Sequence, residues 1–150
     1  MKRLLILAIA MMILVAAVAT TAQAQGTNSM TMRARIPFAF HAGSKELPAG
    51  EYNLTVLNPS SDQKALQIRS ADGRVSAIVR ALVGNAGATE KSKVVFHRYG
   101  DTYFFAQAQV AGELTALTVI KSSVERNEAR TLARNNNGQV TVASVAIRAE

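Results

Sequence analysis

Four residues around one glycine, His97, Arg98, Tyr99 and Asp101, make the densest group of chemically capable side chains in the sequence. A functional reading makes His97 a general base oriented by the Asp101 carboxylate, with Arg98 holding an anion. An ordinary reading packs His97 against Phe104, leaves Arg98 in water and has Asp101 close a turn with Gly100. Strand alternation puts His97 and Arg98 on opposite faces, which favours the ordinary reading. Arg33, Arg35 and His41 form a weaker group. Read as one strand, they share its outward face and offer a shallow contact for an anion or a partner. A solvated edge, with arginines discouraging strand-to-strand aggregation, explains them more simply.

Other chemistry finds little footing. Zinc needs three or four His, Cys or carboxylate ligands, and the chain has two histidines, His41 and His97, and no cysteine. Asp62, Asp72 and Asp101 each sit where a turn calls for Asp, and no run matches a calcium loop. Ser61-Asp62-Gln63-Lys64 matches the Ser-x-x-Lys pattern of penicillin-recognising enzymes, but that serine needs a helix start, and here Pro59 makes the segment a loop. Asn53-Leu54-Thr55 fits a glycosylation sequon in mid-strand, where it is unsuited to use. No glycine-rich phosphate loop is present. No cofactor and no metal are expected, and no enzyme activity.

The element that must position the first group is the stretch 93–110. Two runs rich in Val, Phe and Tyr flank Gly100-Asp101, and a glycine that takes positive φ suits a two-residue hairpin turn. That turn sets Tyr99 against Thr102, His97 against Phe104 and Phe96 against Phe105. Five of the eight aromatic residues lie here, so the hairpin is expected at the centre of the core.

Upstream, Met30, Met32, Ala34, Ile36, Phe38 and Phe40 recur at every second position, the mark of a half-buried strand. Pro37 breaks its hydrogen-bonding ladder, so the strand runs along an edge or bends there. Further strands are predicted at 51–57, 65–69, 75–83, 114–120 and 140–147. The 75–83 strand is apolar on both faces and is expected to be covered on two sides. In the last strand Val140 and Val142 differ in parity from Val145 and Ile147, which a bulge near Ala143-Ser144 would reconcile. A helix over 124–134 follows a Ser122/Glu125 capping box, with a thin stripe of Val124, Glu128 and Leu132. Asn135-Asn136-Asn137-Gly138 ends it. About eight short strands and one helix near the C-terminus call for an all-β fold, an antiparallel β-sandwich or a small β-barrel.

The chain has 150 residues and a net charge of +7. Lys2 and Arg3, sixteen apolar residues over 4–19 and Ala22-Gln23-Ala24 read as a secretory signal peptide. The apolar run falls short of the ~20 residues that span a bilayer. Residues 1–24 are therefore expected to be removed, with 25–29 a flexible leader and 30–150 a single β-domain, exported to the periplasm or outside the cell. No transmembrane segment is expected after cleavage. The processed chain would keep 15 basic and 10 acidic residues, an excess that could attract an envelope protein or an anionic envelope surface, although an ordinary solvated surface explains it more simply. The basic residues are scattered, not blocked, and no nucleic-acid partner is expected.

Pro37-Phe38-Ala39-Phe40, Leu47-Pro48-Ala49-Gly50-Glu51-Tyr52, Ser70-Ala71-Asp72-Gly73 and Arg98-Tyr99-Gly100-Asp101-Thr102-Tyr103-Phe104, in that order, resemble a family of small exported bacterial all-β proteins of unknown function. The resemblance spans 36–134 and implies a signal peptide and an all-β body. No activity, ligand or catalytic residue comes with it. The expectation for function is a non-enzymatic exported β-domain, a binding or cell-envelope-associated structural module. The alternative is a small carrier enclosing an apolar ligand in a chamber lined by Met32, Phe38 and Phe105.

Overall fold

The central hairpin forms as its sequence requires. In the computed structural model, which describes residues 30–135 and 143–150, strand β7 (Lys93–Tyr99) turns through Gly100, at φ 59°, into β8 (Thr102–Gln109). Tyr99 faces Thr102, His97 faces Phe104 and Phe96 faces Phe105. The Phe96 and Phe105 rings meet edge to face at 5.6 Å, both buried. Further up, Val95 faces Gln107, so Ala106 is an extra residue and makes a β-bulge.

Around this hairpin one mixed sheet wraps a single core. β1 (Thr31–Ile36), β4 (Gly50–Val56), β5 (Gln63–Ser70), β6 (Ser76–Asn85) and β9 (Thr115–Val119) follow one another as antiparallel neighbours, and β9 continues onto β8. β10 (Ala143–Arg148) pairs with the free edge of β7. Met32, Leu54, Leu66, Val79, Leu117 and Phe96, one from each of six strands, belong to the same buried cluster. The sheet is not a closed barrel. One isolated bridge, Ala34 to Ala149, ties its last residues to β1, with two backbone hydrogen bonds between Arg33 and Glu150.

Pro37 splits the long alternating stretch. β1 stops at Ile36, the chain crosses, and β2 (Phe40–Ala42) begins beside β8 as a parallel neighbour, turning through Gly43 into β3 (Lys45–Leu47). β9 pairs with β6 only over Ala81–Asn85, and the β2–β3 hairpin occupies the space left between β8 and the start of β6. Lys45 Nζ donates to the Ser76 carbonyl at 2.8 Å, and Phe40, Ala42 and Leu47 are buried in the core. Phe40 packs edge to face on both Tyr52 and Phe96 at 5.2 Å. Each such ring contributes up to about 1.5–3 kcal/mol through burial. That end of the sheet is filled.

Three expectations need correction. β6 is covered on one face only: Ala77, Val79 and Ala81 point inward, while Ile78 is 60% and Leu82 46% exposed. An antiparallel strand with one face on the core needs no second cover. Among the described residues the strands number ten, since β1 and β2 are separate and the short Lys45–Leu47 run, with two polar residues in three, carries no alternation to announce it. Pairing of β10 with β7 runs without a shift from Ala143 to Arg148, so no bulge falls within that segment. The signal peptide, the leader, the helix terminator at 136–138, and Val140 and Val142 lie outside the described residues.

Candidate functional site

Helix α1 (Ser123–Asn135) lies against the outer face of β7. The Glu125 amide donates to Ser122 Oγ at 3.1 Å, the N-cap bond predicted for this start. The Glu125 carboxylate, however, turns to the sheet and is buried, making Glu125 and not Val124 the residue at the centre of the helix's inner side. Val124 is 36% exposed.

Glu125 gathers three partners. Its Oε1 lies 2.8 Å from His97 Nδ1 and accepts from the Tyr99 hydroxyl at 3.1 Å. Lys121 Nζ donates to the same hydroxyl at 3.1 Å and stands 4.0 Å from Oε1. Burial pushes the Tyr99 phenol above its ordinary value; the Lys121 hydrogen bond opposes this and the Glu125 charge adds to it. The hydrogen bond to Tyr99 in turn raises Lys121. A buried carboxylate demands such company, because an unpaired one is costly to desolvate. The cluster's donors and acceptors are directed at one another, and Ser122 Oγ already accepts the Glu125 amide. Its chemistry is that of a polar fastening between helix and sheet.

The first predicted group therefore divides. His97 and Tyr99 point toward α1, whereas Arg98 donates from Nε to the Gly100 carbonyl at 2.6 Å and from Nη2 to exposed Asp101 at 3.2 Å. Asp101 does not orient His97. The residues the sequence reading missed are Lys121 and Glu125, and the only signal was the capping-box position of Glu125.

The second predicted group also divides. Arg33 and Arg35 lie on the exposed face of β1, Arg33 near Asn53 Oδ1 at 3.4 Å and Arg35 opposite Glu51 across the strands. Glu51 offsets the charge that would have attracted an anion. His41 belongs to β2, not to β1; its ring stacks on Phe104 at 4.9 Å, and its Nδ1 is buried with no hydrogen-bond partner. Among the described residues no three His, Cys, Asp or Glu side chains come together as metal ligands. Nor is any helix among them long and apolar enough to cross a membrane.

The chamber expected between Met32, Phe38 and Phe105 is not there. Met32 and Phe105 are each 2% exposed, and Phe38 stacks on Tyr103 at 4.0 Å and against Phe96 at 5.2 Å. Space opens instead at the opposite end of the sheet, as a cleft of about 450 Å³. The start of β1, the end of β4, the end of β6 and the start of β9 bound it. Met30, Val56, Val83, Ala108, Val110 and Leu117 make its apolar wall, and Lys64 and Glu113 bring the charges. A second hollow between the 48–50 and 70–75 turns has its polar groups already engaged: Tyr52 donates to the Pro48 carbonyl, and Asp72 accepts from Ser70 and Arg74.

No family model, no curated protein and no solved structure matches the chain. The described residues form an all-β domain with one helix fastened to its outer face and a cleft at one end.

Proposed function

We propose that the chain is a non-enzymatic exported β-domain that acts as a binding module, holding a small apolar ligand in the cleft at the open end of its sheet. The observation that supports this is the asymmetry of the two ends. One is filled by the β2–β3 hairpin and the aromatic rings, while the other keeps about 450 Å³ of mainly apolar space. That volume falls within the roughly 300–1,000 Å³ typical of small-molecule sites.

The test is fluorescence of an environment-sensitive naphthalene dye titrated into wild-type protein and Val83→Glu. Val83 lines the cleft and is 48% exposed, so a charge there is tolerated by the fold. Wild type binds the dye at micromolar concentration, and Val83→Glu weakens binding about tenfold, a loss of ~1.4 kcal/mol, with an unchanged melting temperature. Equal binding by both proteins would place the site elsewhere. Export is tested separately by mass spectrometry of protein from the exported fraction, which should begin at residue 25.

A further inference from the structure

Lys64 and Glu113 carry the charges on the cleft wall, and neither belongs to an ion pair among the described residues. Their settings differ. Glu113 is exposed and solvated, whereas Lys64 is half-buried on β5 and gives one ammonium proton to the Pro59 carbonyl at 2.5 Å. An ammonium has three donors. Lys64 shares the cleft wall with Met30, Val56 and Leu117, and among the described residues no carboxylate pairs with it, so its remaining donors can serve a ligand.

We infer that the ligand of this cleft is an amphiphile with a flexible apolar chain and a carboxylate head, the head pairing with Lys64 and the chain lying over Val83, Val110 and Leu117. The inference rests on the cleft being the binding site. Charge complementarity selects the head: a carboxylate meets the half-buried cation, while an amine would meet only Glu113, whose charge is already hydrated. The half-exposed Val83, on the cleft wall, gives an apolar chain a surface to lie on from the open side.

Isothermal titration with decanoate, decanol and decylamine, each below its micellar concentration at neutral pH, tests this. Wild type is expected to bind decanoate about fivefold more tightly than decanol, the effect of one partly exposed ion pair, with decylamine weakest. Lys64→Gln should bring decanoate down to the decanol value and leave decanol unchanged, and Lys64→Arg should keep the preference; thermal melts show that both variants are folded. Equal binding of decanoate and decanol, or tighter binding of decylamine, overturns the head-group assignment and leaves the cleft as a binding site. Failure of all three to bind overturns the cleft reading and this inference with it.

Discussion

His97 Nδ1 lies 2.8 Å from Oε1 of Glu125, which joins the middle of β7 to the first turn of α1 across 28 residues of sequence. Glu125 is 4% exposed and also serves Tyr99 and Lys121. Replacing it with Ala takes away the acceptor of the Tyr99 hydroxyl, the partner of His97 Nδ1 and the carboxylate facing Lys121. Glu125→Ala should cost about 1–3 kcal/mol in urea unfolding and lower the helical signal in circular dichroism. A change below about 0.5 kcal/mol, within what an ordinary surface substitution does, would show that the fastening contributes nothing.

Phe96 touches Phe38, Phe40 and Phe105, all edge to face. Phe96→Ala should cost about 3–5 kcal/mol, among the largest losses available in the domain. Phe38→Ala, at a half-buried position, should cost clearly less. Chemical denaturation of both variants checks the ranking, and the reverse order would mean that the core is centred elsewhere.

Two buried phenols predict an alkaline weakness. Burial raises Tyr52, with the Asp72 charge adding to it, and burial raises Tyr99, both above the ordinary 10.0. Because the folded values exceed the unfolded one, this contribution is fully present below pH 10 and is lost as pH climbs through the folded values. Urea midpoints should fall steadily from about pH 10 upward. Tyr52→Phe should flatten that fall, while losing about 0.5–1.5 kcal/mol at neutral pH with its 2.6 Å bond to the Pro48 carbonyl.

Gly100 sits at φ 59° with open space where a Cβ would stand. Gly100→Ala therefore carries only the backbone penalty, about 1 kcal/mol, and Gly100→Asn should recover much of it. Equal stability of all three proteins would mean that the turn does not need left-handed geometry.

Gln109 is buried and sends its Nε2 to the carbonyls of Gly87 and Glu113 at 2.5 and 3.3 Å. Its loss leaves both without that donor. Gln109→Leu should cost about 1–3 kcal/mol and increase proteolysis within 86–92, where wild type resists.

Local signals carried the fold further than they carried the site. The hairpin register was legible because Gly100-Asp101 fixes the turn and aromatic pairs fall into place on either side of it. Pro37 announced the break between β1 and β2. The cluster on β7 was half legible: His97 and Tyr99 stood out by type, but Glu125 looked like a cap, and only the packing of α1 over the strand brings it there. Ile78 and Leu82 misled the reading of β6, since an apolar residue on an exposed face has the same sequence signature as one under a second layer. The chamber sought between Met32, Phe38 and Phe105 was misplaced, because which end of the sheet holds open space depends on where the β2–β3 hairpin folds.

Ala106, the unmatched residue of β8, decides what the cleft is made of. Below it, Tyr103 and Phe105 look inward; above it, parity has switched, so that Ala108 and Val110 do. Were Ala106 accommodated as an ordinary strand position instead of a bulge, uninterrupted alternation would turn Gln107 and Gln109 toward the cleft, replacing a small apolar wall with two amides. The apolar character of that wall thus traces to a single bulged position, and flattening the bulge while keeping its residue would exchange the cleft's side chains without a substitution at any of them.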